Sequence, residues 1–360
     1  MTTISRGSYN SFITLVRLGI GHIAAPITNP IQWNEIEALA MKHGLSAIVL
    51  DGIEKLPEAQ RPPKEIVLQW IGNVMQGYES RYVDYEKSIW ELAGFYNKHG
   101  IKMMVIKGYG LGLNYPSPKH RPCGDIDIWC FGKGHDADNA LRKECGITID
   151  TSHHIHTVFL WDGFTVENHY DMVNVYRHHR NKRLNRVLKE LALDDSRSLC
   201  INGQCVYMPS IKFNALFLIN HALAHFAASE INLRQVLDWG LFVKNNSSDI
   251  DWLWLNEILI QFKMKEFFEC LNAICVDDLG FSASLFPIIQ INPQLKERVL
   301  NNIICPNFAE RMPSDFFPRL VWKIRRWHCN AWKQDLCYKE SRLSSLFHGI
   351  LSHLIKPSTI

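Results

Sequence analysis

The segment Gly124-Asp125-Ile126-Asp127-Ile128 places two carboxylates at alternate positions of a short apolar run. Alternate side chains of a β-strand point to one face, so Asp125 and Asp127 would share a face with the isoleucines packed behind them. Two carboxylates about 6–7 Å apart repel each other unless a cation lies between them. Mg²⁺ suits such a pair, because it is a hard ion that is usually shared with substrate phosphates. A solvated acidic edge strand is the alternative.

A β-hairpin is predicted downstream of these aspartates. Asp162-Gly163 is a strong signal for a two-residue turn, and it is flanked by the strand-like segments 155–161 and 164–170. A hairpin of this kind places its two strands side by side. We expect one of them to supply a third carboxylate near Asp125 and Asp127.

The turn also sets the register of this hairpin. Without a bulge, it pairs Glu167 with Val158 and His169 with His156. Glu167 then lies in a polar patch among histidines. We therefore predict Glu167 as the third metal ligand, with Asp171 as the substitute.

A glycine-rich turn follows the predicted buried strand 103–106. Its residues are Lys107, Gly108, Tyr109 and Gly110. Glycine lets a backbone approach a phosphate closely, a following helix would offer free N–H groups, and Lys107 would add a point charge. A simple strand-to-helix turn is the alternative interpretation.

These groups must be positioned by a small sheet between helical regions. Helical periodicity is found before and after residues 101–205, whereas that segment contains the short strand patterns. We therefore predict a mostly helical α+β protein with three parts. They are an N-terminal helical region at 1–100, a small mixed-sheet unit at 101–205 and a C-terminal helical domain at 206–360.

Composition narrows the choice of partners and compartment. The 360 residues contain 39 Lys+Arg and 36 Asp+Glu, a net charge of +3, which gives no general reason to expect nucleic-acid binding. Ten cysteines occur without a Cys-x-x-Cys pair and are interpreted as reduced thiols in a cytoplasmic protein. No apolar run is long enough to predict a transmembrane span.

Several short motifs occur in a fixed order along the chain: a strand followed by Lys107-Gly108, then Arg121-x-x-Gly124-Asp125-Ile126-Asp127-Ile128, then Val166-Glu167-Asn168-His169, then His221-x-x-x-His225, Arg234 and Leu237-Asp238. In this order and spacing, the sequence resembles the bacterial uncharacterised nucleotidyltransferase family of the DNA polymerase β-like superfamily. The resemblance extends over most of the chain.

The resemblance implies a palm in which Asp125, Asp127 and Glu167 are catalytic and bind two Mg²⁺, one of them carrying the triphosphate of an NTP such as ATP. It implies transfer of a nucleoside monophosphate to an unidentified acceptor (a small molecule, a sugar phosphate or a protein) with release of pyrophosphate. Members of the superfamily usually have Gly-Gly or Gly-Ser at this turn, where this chain has Lys107-Gly108-Tyr109 and lacks the small hydroxyl that contacts phosphate. The implied nucleotide contacts are Lys107, Gly108, Tyr109, Arg121 and Gly124. The implied cleft or substrate residues are His169, Asp171, His221, His225, Arg234 and Asp238.

Two other functions remain open at this stage. His221 and His225 are four residues apart on a predicted helix and share a face, so with Asp238 they could form the centre of a metal-dependent phosphohydrolase. The altered turn at Lys107 also allows a non-catalytic nucleotide-binding relative.

The C-terminal segment 319–342 combines basic residues with tryptophans at helical spacing. It could contact an anionic membrane or a partner weakly, although docking on the protein's own core is the other interpretation.

Overall fold

The computed structural model describes residues 5–24, 26–27, 30–194, 196–201, 203–306 and 312–339. The α-helices are α1 Arg6–Gly19, α2 Trp33–His43, α3 Ser46–Glu54, α4 Lys64–Val74, α5 Arg81–Lys98, α6 Gly108–Gly112, α7 Gly134–Cys145, α8 Asn181–Asp194, α9 Ile211–Ala228, α10 Leu233–Asn246, α11 Trp252–Gln261, α12 Lys265–Ala273, α13 Pro293–Ile304 and α14 Phe316–Tyr338. The strands are β1 Met104–Val105, β2 Ile126–Trp129, β3 His156–Trp161, β4 Phe164–His169, β5 Arg197–Ile201 and β6 Gln204–Met208.

The six strands form one mixed sheet in the order β3-β4-β2-β1-β6-β5. Strand β2 runs parallel to β4 and antiparallel to β1, and β1 runs parallel to β6. With most of the remaining described residues in helices, the prediction of a mostly helical α+β fold is confirmed.

One face of this sheet is apolar and packs against α5 and α7. Ile126 and Ile128 of β2 and Val166 of β4 are completely buried there, in a cluster with Tyr85 and Ile89 of α5. Because side chains alternate along a strand, the residues between these apolar positions point to the opposite face. The polar face of β2 and β4 therefore carries Asp127, Glu167 and His169.

A buried hydrogen-bond network fixes α7 against the hairpin. Asp138 of α7 is 1 % exposed and accepts hydrogen bonds from Asn168 Nδ2 at 2.8 Å, from Thr157 Oγ1 at 2.9 Å and from the Tyr170 hydroxyl. A buried carboxylate that accepts this many hydrogen bonds is satisfied and holds its neighbours in one arrangement. Asn168 lies between Glu167 and His169, so the network also orients the segment that carries them.

The predicted hairpin and its register are confirmed. Asp162 and Gly163 have φ values of 46° and 81°, the left-handed pair that a tight two-residue turn requires. Glu167 pairs with Val158, and His169 pairs with His156.

Helices α4 and α5 are joined by a π-helical segment, Met75–Ser80. A second π-helical segment, Ile274–Asp278, follows α12. Single 3₁₀ turns occur at Glu58–Gln60, Pro118–His120 and Ala283–Leu285.

The chain divides into two compact units. Among the described residues, the first comprises those up to Val175 and Asn185–Phe213, and the second comprises Tyr176–Leu184 and those from Asn214 onward. All six strands belong to the first unit. The three-part division predicted from the sequence stays a prediction.

Strands β5 and β6 form a hairpin that was not predicted, and they correct one expectation about cysteines. Cys200 and Cys205 are directly opposed across the two strands and form a disulfide. The prediction that all ten cysteines are reduced thiols is therefore wrong for this pair. The other eight cysteines are free, and the cytoplasmic location stays a prediction.

Helix α14 contains both buried and exposed apolar residues. Ala331 and Cys337 are buried, whereas Leu320, Val321 and Ile324 are exposed. A membrane or partner contact through this helix stays a prediction, and the part of segment 319–342 beyond residue 339 lies outside the described residues. Of the helices in the described ranges, none has the combination of length and apolar character that crossing a membrane would require.

Candidate active site

Asp127 lies on the polar face of β2, in a group of charged side chains with Lys107, Asp125, Glu167 and His169 that we call the polar pocket. It is 7 % exposed, and its Oδ1 lies 2.7 Å from the Nζ of Lys107. Lys107 reaches it because β1 pairs with β2, where the Ile106 amide donates to the Asp127 carbonyl at 2.9 Å. Burial alone would raise the pKa of Asp127, but the Lys107 ammonium and the hydrogen bond from His169 lower it well below its usual value.

Glu167 is the register partner of Asp127 on the parallel strand β4. The Nε2 of His169 lies 3.1 Å from Asp127 Oδ1 and 3.4 Å from Glu167 Oε2, so one imidazole nitrogen contacts both carboxylates. Burial would lower the pKa of His169, yet its hydrogen bonds to the two acids raise it. For Glu167, burial alone would raise the pKa, but the hydrogen bond from His169 together with the charges of His156 and His169 lowers it.

Asp125 is exposed and lies immediately before β2. Its pKa is raised, first by partial burial and then by the negative charges of Glu167 and Asp127. The register of β2 and β4 thus brings Asp127 and Glu167 together, and Asp125 precedes the same strand. The assignment of all three as metal ligands stays a prediction.

His156 is the pocket residue that the predicted set of site residues omitted. Its Nδ1 lies 3.6 Å from Glu167 Oε2, is shielded from solvent and has no hydrogen-bond partner. Burial lowers the pKa of His156 to about 4, so the ring is neutral at pH 7. The hairpin register, which pairs His156 with His169, was the sequence signal that could have identified it.

The glycine turn passes close behind β2. Gly108 has a φ of 38°, and a Cβ at this position would lie 2.2 Å from the hydroxyl oxygen of Tyr85. That hydroxyl donates to the Asp125 carbonyl at 3.0 Å. Glycine is therefore required here by both conformation and space.

The other residues predicted to contact the nucleotide differ in how exposed they are to a ligand. Tyr109 is buried, and its hydroxyl donates to Glu86 Oε1 at 2.6 Å, so only its backbone could face a nucleotide. Helix α6 begins within this turn, at Gly108, and its five residues offer little helix dipole to a phosphate. Gly124 is exposed with open space beside it, and Arg121 is half-buried.

Arg81 of α5 adds a positive charge that the sequence analysis did not identify. Its Nε donates to the Cys123 carbonyl at 3.0 Å, and its guanidinium lies 4.6 Å from the centre of the Phe164 ring. Its charge lowers the pKa of Asp125, against the larger opposing effects of burial and of the two neighbouring acids. Arg81 therefore places a positively charged side chain close enough to Asp125 to affect its pKa.

Asp171, the predicted substitute for Glu167, is engaged elsewhere. It follows the end of β4, and its Oδ1 accepts from Asn185 Nδ2 and from Lys189 Nζ, both at 2.6 Å. These hydrogen bonds connect Asp171 to α8 at the end of the hairpin. Glu167, in contrast, lies beside Asp127.

The remaining predicted substrate residues belong to the second unit. His221 and His225 lie one turn apart on α9 with ring centres 4.4 Å apart, and Arg234 and Asp238 lie on α10. Within the described parts of the chain, the one group of three or more His, Cys, Asp or Glu residues with ligand atoms within 4.8 Å of one another is His156, Glu167 and His169. The phosphohydrolase alternative therefore gains no support.

The acidic residues of the first unit fit the magnesium ions that the resemblance implies. Asp127 and Glu167, paired on adjacent strands, and Asp125, just before β2, have carboxylate oxygens, the donor type that Mg²⁺ prefers. The Lys107 ammonium contacts Asp127, so one positive charge compensates this buried carboxylate.

A family model described as an uncharacterised nucleotidyltransferase matches residues 29–279 of the chain. Comparisons with curated proteins and with solved structures give no significant match. The matched range is well over half of the 360 residues and includes all the carboxylates and histidines described above.

Proposed function

This chain belongs to the uncharacterised nucleotidyltransferase family, and we propose that it transfers a nucleoside monophosphate from an NTP such as ATP to an acceptor hydroxyl or phosphate. The acceptor would be a small molecule, a sugar phosphate or a protein. The observation that best supports this proposal is the parallel register that sets Asp127 beside Glu167, with the exposed Asp125 directly before β2.

Asp125, Asp127 and Glu167 would hold two Mg²⁺. Bound there, Mg²⁺ would neutralise the triphosphate and the negative charge that develops during transfer. Asp127 is suited to the deepest ligand position because its low pKa keeps it ionised at all physiological pH values. Asp125, which is exposed, would bind the Mg²⁺ that an incoming nucleotide carries.

Lys107 would have two roles in this cycle. Without a bound cation, its ammonium compensates the buried charge of Asp127. With Mg²⁺ held by the carboxylates, the Lys107 ammonium would be available to contact the triphosphate, where its point charge would stabilise the leaving pyrophosphate. The missing small hydroxyl of the usual Gly-Ser turn would be compensated in this way.

The transfer forms one bond from an acceptor oxygen to the α-phosphorus and breaks the bond to the pyrophosphate oxygen. The proton of an acceptor hydroxyl would pass to Glu167 or His169, which contact each other at 3.4 Å. The protein's remaining contribution is to hold the acceptor and the nucleotide in line.

The test is transfer of label from α-labelled NTP by an Asp125→Asn, Asp127→Asn double variant. We expect a normally folded protein with no detectable transfer. Asp136→Asn removes an exposed acid near the start of α7 and serves as the matched control, for which transfer should persist. Undiminished transfer by the double variant would remove the carboxylate pocket from the reaction.

A further inference from the structure

The pocket contains a second set of possible ligands, with different chemistry from the aspartates. His156 Nδ1 lies 3.6 Å and His169 Nε2 lies 3.4 Å from Glu167 Oε2, and all three atoms are within 4.8 Å of one another. Ligand atoms bound to a tetrahedral Zn²⁺ at about 2.0–2.1 Å are about 3.3 Å apart. The 3.6 Å between His156 Nδ1 and Glu167 Oε2 exceeds the usual length of a hydrogen bond. The spacing therefore approaches that of the ligands around a small ion.

The orientation of the His169 ring supports the same interpretation. Its Nδ1 lies 3.3 Å from the carbonyl oxygen of Asp171 and can donate its N–H there. At most metal-ligating histidines one ring nitrogen donates to a carbonyl or carboxylate oxygen and the other coordinates the ion. For His169 the other nitrogen is Nε2, which donates to the two acids and would release that proton on binding a metal.

His156 provides an independent observation from the opposite strand. Its Nδ1 is buried without a hydrogen-bond partner, although β3 aims the ring at Glu167. A buried polar atom without a partner is unfavourable, and such atoms in a folded protein call for a specific reason. A cation bound between the two imidazoles would supply the missing partner.

We infer that His156, Glu167 and His169 bind a borderline first-row divalent ion, of which Zn²⁺ is the representative. Two imidazole nitrogens and one carboxylate suit Zn²⁺ and its neighbours, whereas Mg²⁺ prefers oxygen ligands. This set is thus distinct from Asp125 and Asp127, although both sets include Glu167. Because the readout is binding of Zn²⁺ or Co²⁺, the inference does not depend on nucleotidyl transfer.

The experiment uses the full chain without a polyhistidine tag, stripped of metal with a chelator. Zn²⁺ affinity is measured by competition with a chromophoric chelator in excess Mg²⁺, and the visible spectrum is recorded with Co²⁺. His156→Gln is compared with His221→Gln, which removes a histidine from the alternative cluster on α9. We expect one tightly bound Zn²⁺ per chain and a tetrahedral Co²⁺ spectrum without a thiolate band.

His156→Gln should weaken Zn²⁺ binding by more than about 100-fold, since changes to outer-shell partners alone cost about 10–100-fold. His221→Gln should bind as the wild type does. Equal affinity in both variants, or loss only in His221→Gln, would overturn the inference. If His156→Gln fails to fold, the wild-type Co²⁺ spectrum decides, because an octahedral spectrum or one with a thiolate band contradicts the site. Transfer from NTP is measured separately with Mg²⁺ alone, so its absence bears only on the proposed function.

Discussion

Asp127 and Glu167 occupy paired positions on the parallel strands β2 and β4, and their carboxylates contact the same nitrogen of His169. Like charges this close are stable only with compensating positive charge. Here the compensation comes from Lys107 and His169. The pocket is therefore a site of concentrated negative charge balanced by groups that a divalent cation can replace.

Lys107→Met should destabilise the protein and make its stability depend on Mg²⁺. Lys107 and Asp127 are 17 % and 9 % exposed at their side chains, so the variant leaves a buried charge uncompensated. Breaking such a pair costs about 3 kcal/mol in the free energy of unfolding. Urea unfolding with and without Mg²⁺ measures this, and Mg²⁺ should recover part of the loss.

Lys189→Met is the matched control for that experiment. The Lys189–Asp171 pair is similarly short but more exposed, at 35 % and 24 %. A pair with this exposure contributes about 0.5–1 kcal/mol, and Mg²⁺ should not restore it. An equal loss in both lysine variants, with no response to Mg²⁺, would show that Lys107 does not compensate a cation site.

Gly108→Ala should destabilise the protein by about 1–3 kcal/mol, because a side chain at a φ of 38° is strained and its Cβ meets the Tyr85 hydroxyl. Tyr85→Phe removes that hydroxyl and should cost about 1 kcal/mol for the lost hydrogen bond to the Asp125 carbonyl. In a double-mutant cycle by urea unfolding, Gly108→Ala should cost less in the Tyr85→Phe background. Strict additivity would contradict the proposed contact.

The environment of His120, which lies outside the polar pocket, predicts that the stability of the protein depends on pH. Its Nδ1 lies 2.7 Å from Asp51 Oδ2 and its Nε2 lies 3.1 Å from Glu79 Oε1. The hydrogen bond to Asp51, aided by Glu79 and opposed by burial, raises the pKa of His120. A raised pKa in the folded state stabilises the protein fully below the unfolded value of about 6.5, and this contribution is lost as pH rises through the folded value.

The difference in unfolding free energy between wild type and His120→Gln should therefore be larger near pH 6 than near pH 9. Denaturant unfolding across this range provides the measurement. A difference that stays constant over the range would show that the protonated imidazole does not stabilise the fold.

Glu167→Gln should raise the Mg²⁺ concentration needed for half-maximal transfer and lower the maximal rate, since the third carboxylate is lost. Transfer assays at increasing Mg²⁺ measure both quantities. If Asp171→Asn raises the Mg²⁺ requirement and Glu167→Gln does not, the third acid has been assigned to the wrong residue.

The hairpin shows how much of the site follows from sequence. Asp162-Gly163 is a local signal, because few residue pairs tolerate two consecutive left-handed conformations. Once the turn is fixed, alternation along the strand determines that Glu167 and His169 share a face. The pairing of β2 with β4 is a long-range feature, and only the expected convergence of the acids indicated it.

Other features depend on tertiary contacts that the sequence does not encode locally. The contact of Lys107 with Asp127 requires the antiparallel pairing of β1, a strand of only two residues. The disulfide between Cys200 and Cys205 requires the unpredicted β5–β6 hairpin. Tyr109 was expected at the nucleotide, but the core between α5 and the turn buries its side chain.

A crystal structure with Mg²⁺ and a non-hydrolysable NTP tests the central claim most directly. We predict Mg²⁺ bonded to oxygens of Asp125 and Asp127, with Glu167 completing the acidic set and the triphosphate beside the Gly108 turn. A triphosphate bound outside this pocket, or Mg²⁺ with no bond to either aspartate, would contradict the account.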